Sequence, residues 1–156
     1  MTEPLEEIPG VIVMPPFLYL GAFLTGLLLN LLAPHPLTSS LGLRWAGALL
    51  VVSSLPVPLW AARTMHRAGT TANPMRPVTQ LVVTGPYRLS RNPMYLAMTI
   101  GYVGLALLVN SLWVGVVLAP LLVVLHLGVI AREERYLDAK FGDEYRRYRK
   151  EVRRWF

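Results

Sequence analysis

Four apolar runs separated by short polar breaks set the pattern of the chain: residues 15–33, 41–62, 94–109 and 111–130. At 1.5 Å of rise per residue, 94–109 reaches about 24 Å and 112–130 about 29 Å, against a hydrocarbon core of about 30 Å. Asn110-Ser111 is a turn too short for anything but a hairpin, so these two arms are expected to be antiparallel. Tyr95, at the start of one arm, should then share a membrane face with Glu133, just past the end of the other. Ala97, Gly101, Gly104, Gly115 and Ala119 are small residues that let such arms approach closely. In the first span Gly21, Thr25 and Gly26 could do the same. Pro34, His35 and Pro36 mark a loop, Arg44 can snorkel to the interface, and Pro56 and Pro58 should kink the far end of the second span.

The polar stretches complete the expected architecture. Residues 63–93 run through a Thr, Asn and Pro-rich linker that turns extended between Gln80 and Thr84. Residues 1–14 carry Glu3, Glu6 and Glu7 and read as an exposed arm or a short surface helix. From 131 to 156, Leu137, Phe141, Tyr145 and Tyr148 recur at helical spacing with a break at Gly142, which predicts an amphipathic helical tail on the membrane surface. The fold class is therefore all-α integral membrane: about four transmembrane helices, a C-terminal hairpin and a polar helical tail, in a single domain.

Composition narrows the function classes. With 54% hydrophobic residues in 156 and a mean hydropathy of +0.46, the chain has no separate soluble domain large enough to carry chemistry alone. The absence of cysteine excludes disulfides, thiolate metal sites and a cysteine nucleophile. A net charge of +6 raises the question of nucleic acid, but the basic residues flank apolar segments, where they orient a membrane protein instead. Five Lys and Arg lie between Arg63 and Arg91, nine from Arg132 onward, and only Arg44 on the opposite side. The positive-inside rule then places both basic regions, and both termini, in the cytoplasm.

Candidate chemistry gathers in GPYRLSRNPMY, residues 85–95, and in the acidic pair Glu133-Glu134. Asn92-Pro93 is a helix start, with asparagine able to cap and proline lacking only an N–H that would be unpaired. An acidic pair directly after a long apolar helix needs a positive partner, either Arg132 and Arg135 or a bound cation. His126 lies within a membrane arm and reads as a packing or hydrogen-bonding residue.

GPYRLSRNPMYL followed by a hairpin and EERYLDAKFGDEYRRYRKEV resembles the isoprenylcysteine carboxyl methyltransferase and phospholipid methyltransferase family of integral membrane enzymes. The resemblance covers 80–152. It implies S-adenosylmethionine as methyl donor, held by Thr79, Gln80, Leu81, Val82 and Tyr87, by Asn92, Pro93, Met94 and Tyr95, and by Glu133. A lipophilic acceptor (carboxylate, thiol or amine) would enter from the bilayer, and no metal is implied. Asn92 stands where the family usually has histidine and Val129 where prenylcysteine members have an arginine, which leaves Asn92 and Arg132 as the catalytic candidates and makes prenylated protein a poor substrate. The other classes are an NADPH-dependent membrane reductase of sterol-reductase type and a noncatalytic membrane adaptor.

Overall fold

The computed structural model describes residues 8–155, which fold into helices joined by irregular loops, with no strand among them. Helix α1 spans Pro15–Leu32, α2 Leu41–Ser54 and α3 Pro56–Arg67. A long linker carrying the 3₁₀ turn Gly85–Arg88 leads to α4, Pro93–Leu108. Helix α5, Leu112–Leu125, passes through a π-helical segment, His126–Ile130, into α6, Ala131–Phe141, and α7, Asp143–Glu151, closes the chain. Among the described residues three helical stretches are long and apolar enough to cross a membrane: Pro15–Leu32, Leu41–Arg67 and Leu112–Phe141. The fourth apolar helix, α4, has 16 residues and is shorter.

Local chemistry explains the boundaries. Pro56 and Pro58 fall in the first turn of α3, but Leu55 keeps helical angles, so the helical run continues to Arg67, five residues beyond the predicted end. Asn110 takes a left-handed φ of 54°. Its Oδ1 accepts from the backbone N–H groups of Leu37 and Thr38, tying the hairpin turn to the α1–α2 loop. The Ser111 side chain caps α5. Gly142, at φ 51°, separates α6 from α7 at the predicted break.

The packing partners differ from those expected. Helix α4 packs most extensively on α2 and α5 on α1, while the two hairpin arms touch each other less. Gly104 and Gly101 therefore face α2 rather than α5. A Cβ on Gly104 would lie 2.7 Å from the Gly47 carbonyl oxygen, and one on Gly47 would lie 2.7 Å from the Gly104 oxygen. The two backbones cross in direct contact. Gly47→Ala is accordingly expected to cost about 1–3 kcal/mol as an overpacked crossing, read as a lower unfolding temperature in detergent. An unchanged temperature would show that the crossing can spread at no cost.

Two further expectations need correction. Of the N-terminal arm, residues 1–7 lie outside the described residues, but Pro9 and Val11 are buried, so 9–11 is docked rather than exposed. The tail turns its aromatic face inward. Tyr145 and Tyr148 pack with Ala61, Val82 and Tyr87 in a second apolar core, beside the main core built around Val114, Leu125, Val129 and Ile130.

Candidate functional site

The hairpin brings its two ends together. Pro93 opens α4 at its first turn, and the continuous helix through α5 delivers Glu133 to the same level. The Tyr95 hydroxyl donates to Glu133 Oε1 at 2.6 Å, across 38 positions of sequence. At the other end of Tyr95, its carbonyl accepts from the Tyr19 hydroxyl at 3.1 Å, which fixes the start of α4 against α1. Glu133 lies past the apolar part of its helix, which ends at Ile130. Burial pushes its carboxyl up to about 7; the Tyr95 hydrogen bond pulls the other way, and the charge of Glu134 adds to the rise.

Glu134 plays a different part. Its carboxylate takes Arg154 in a two-pronged pair, Nε to Oε1 at 2.9 Å and Nη2 to Oε2 at 2.5 Å, and also meets Arg91 Nη1 at 3.0 Å. Arg91 and Arg154 are thus its partners, where the sequence offered Arg132 and Arg135. Arg132 instead donates to the Gly10 carbonyl at 2.8 Å, and Arg135 to its own helix at Ala131. Around Glu134 the last turn of chain folds back onto the first motif. The Ser90 hydroxyl and the Asn92 amide both donate to the Arg154 carbonyl, and Arg91 N–H donates to the Arg153 carbonyl. Asn92 therefore occupies the N-cap position without capping through its side chain, which is committed to the tail.

These elements enclose a cavity of about 100 Å³. Of the residues singled out in the sequence, Gln80, Leu81, Val82, Tyr87, Asn92, Pro93, Met94, Tyr95 and Glu133 line it together. Thr79 is not among the lining residues; its N–H donates to the Thr70 hydroxyl and its own hydroxyl to the Gly69 carbonyl, so it staples the linker. Arg132 is directed to the N-terminal segment rather than to this wall. Two buried polar atoms of lining residues, the Tyr87 hydroxyl and Arg91 Nε, have no hydrogen-bond partner. Burial first, then Tyr148 and Glu133, holds the Tyr87 hydroxyl well above the usual phenol range, so it stays a donor.

The family model for phospholipid methyltransferase matches residues 43–144, about two thirds of the chain. The protein belongs to the phospholipid methyltransferase family. Among curated proteins it is similar to an uncharacterized protein of Haemophilus influenzae, 55% identical over 56 residues, which are 33% of this chain and 89% of that one. The nickel-cobalt-cadmium resistance protein NccN of Alcaligenes xylosoxydans xylosoxydans is 33% identical over 110 residues, 65% of this chain and 48% of that protein. The cobalt-zinc-cadmium resistance protein CzcN of Cupriavidus metallidurans is 39% identical over 69 residues, 43% of this chain. The chain thus spans nearly all of the first relative, about half of the second and 32% of the third. No solved structure matches it. Among the described residues no three His, Cys, Asp or Glu gather as metal ligands would.

Within this phospholipid methyltransferase family member, three participants escaped the sequence reading. Arg91, Tyr145 and Arg154 order the cavity wall: Arg91 Nη1 reaches the Tyr145 hydroxyl at 3.2 Å and, with Arg154, holds Glu134. Only the helical spacing of the tail tyrosines hinted at a buried face. The N-terminal segment is the fourth addition. Ile12 N–H donates to the Gly128 carbonyl in the π-helical segment, where the regular ladder is interrupted, and Pro9 reaches the cavity. Arg132→Ala should release this strap, at about 1 kcal/mol for one charge-assisted, part-exposed hydrogen bond. Faster amide exchange across residues 8–14 is the expected result, and unchanged exchange would remove Arg132 as its anchor.

Proposed function

We propose that the protein transfers a methyl group from S-adenosylmethionine to a lipophilic acceptor, a carboxylate, thiol or amine held in the membrane, at the cytoplasmic face. The observation that carries this reading is the meeting of the two family motifs, Tyr95 against Glu133, in one cavity. The donor set suits the cofactor. Glu133 offers a carboxylate to its ammonium group, Tyr95 and Tyr87 offer aromatic faces to a sulfonium, and the unpartnered Tyr87 hydroxyl and Arg91 Nε offer hydrogen bonds to its carboxylate or base. Gln80, Leu81, Val82, Asn92, Pro93 and Met94 supply the rest of the wall, with Thr79 holding the linker. Bound there, S-adenosylmethionine would supply an electrophilic methyl group.

The chain's own contribution is positioning and exclusion of water rather than proton transfer. Asn92 is neutral, and its amide is spent on the tail, so in this reading it shapes the site and takes no proton. Arg132 acts through the N-terminal strap. At about 100 Å³ the cavity is smaller than the roughly 300–1,000 Å³ of small-molecule sites, so one wall must move for the donor to enter. The linker is that wall. It is held by few bonds, among them Val78 N–H to the Tyr136 hydroxyl at 3.2 Å and the Thr79 staple. The basic segments around the site support a cytoplasmic side for it and for both termini.

The test is calorimetric titration of the purified, nanodisc-embedded protein with S-adenosylmethionine, followed by transfer of labelled methyl to a membrane lipid extract. Saturable binding with label in the lipid fraction is expected. Binding of NADPH in its place would make the protein a reductase, and binding of neither would make it an adaptor.

A further inference from the structure

A second, larger cavity lies outside the donor site. It encloses about 670 Å³ between α4 and the α5–π helix, with Leu96, Ile100 and Val103 on one side and Leu122, Val123 and Leu127 on the other. Its outer residues are exposed where a bilayer would lie: Val123 at 57% and Leu127 at 62%. At one end stand His126 and Trp155. Arg154 Nη1 lies 3.4 Å from both ring nitrogens of His126, while its other nitrogens grip Glu134, a wall residue of the donor cavity. Arg154, on a segment past the last helix, thus links a wall residue of each cavity, Glu134 and His126, and the adjoining Trp155 lines the groove. Two guanidiniums, Arg91 and Arg154, share the single carboxylate of Glu134.

Resting on the methyl-transfer reading above, we infer that the acceptor is a lipophilic anion, a long-chain carboxylate or thiolate, whose tail fills this groove and whose head is recognised by Arg154 beside His126. An ammonium head would meet two guanidiniums at low dielectric and would first need a base that Asn92 does not provide. An anionic head arrives ready to react. Its oxygen or sulfur forms the new bond to the methyl carbon as the carbon–sulfur bond of the sulfonium donor breaks, and that electron pair stays on the departing sulfur. An anion and a cation become two neutral products at the reacting centre, and no proton moves. Arg154 is in this scheme a binding residue with two faces, one on Glu134 and one on the acceptor.

The experiment compares saturable binding of tritiated palmitate and of hexadecylamine to the full-length protein in nanodiscs, with empty nanodiscs subtracted and S-adenosylmethionine binding measured in parallel by calorimetry. Palmitate is expected to bind at least tenfold more tightly than the amine. Arg154→Gln should remove that preference, and Val103→Trp, which fills the groove away from the donor site, should weaken palmitate binding at least tenfold with S-adenosylmethionine binding unchanged. Equal or tighter amine binding, or palmitate binding indifferent to Val103→Trp, would overturn the inference. The Val103 variant keeps this decisive if loss of Arg154 unfolds the tail. Palmitate binding of the expected kind without any S-adenosylmethionine binding would sink the methyl-transfer reading alone; methyl transfer confined to amines would sink the anion alone.

Discussion

Glu133→Gln is expected to lower affinity for S-adenosylmethionine by at least about thirtyfold, the roughly 2 kcal/mol that losing one partner of a buried charged contact costs at minimum. The substitution keeps the shape and an acceptor for the Tyr95 hydroxyl, so the fold should persist and the unfolding temperature should change little. Calorimetry on the variant reads the effect directly. Affinity within threefold of the parent would remove the ammonium contact from the site. The same carboxyl predicts a pH profile. Because burial raises it to about 7, donor binding that needs the ionised form should strengthen as pH rises through 7 and level off above. Stability of the protein without donor should run the opposite way. A folded-state value above the ordinary 4.5 means the folded form holds its proton longer, so this stabilising contribution is complete below about 4.5 and is lost as pH climbs to about 7.

Glu134→Gln should produce the reverse pattern, a loss of stability with a smaller effect on donor binding. Its carboxylate is 13% exposed and the Arg91 side chain 10%, so removing the charge strands a buried guanidinium at a cost on the order of 3 kcal/mol. Arg154, a third exposed, can find water and contributes less. The chain from Val152 onward should come loose with it, because Arg154 is the side chain that draws this segment back to Ser90 and Asn92. Hydrogen exchange at 152–155 and thermal unfolding in detergent measure both consequences. If instead the tail stays protected and the unfolding temperature holds, the Arg91–Glu134–Arg154 cluster is not what closes the site. Glu133 meets Tyr95 and Glu134 meets two guanidiniums, so the neighbouring glutamates are expected to have separable roles.

Much of the membrane architecture was legible because hydrophobic length is a local property. The apolar runs, the Asn110-Ser111 turn, the Pro93 helix start and the Gly142 break each follow from a few adjacent residues and one steric or solvation rule. The hairpin argument then reached one long-range conclusion correctly, since two antiparallel helices of similar length must return to the same face, and Tyr95 meets Glu133 there. Nine of the ten residues taken from the family resemblance line one cavity.

Partner choice was another matter. Small residues at helical spacing say that a helix can be approached closely but not by which neighbour, so Gly101 and Gly104 could not be assigned to α2 over α5 from the sequence. Charges posed the same difficulty: Arg132 and Arg135 lie next to the acidic pair in sequence, yet the helix turns them elsewhere, and Arg91 and Arg154 reach Glu134 only because the chain folds back twice. Sequence alone determined which segments are long and apolar enough to favour a membrane, because transfer free energy sums along a stretch. Only the tertiary structure decided which side chains pair, because a pair depends on directions in space that composition does not carry.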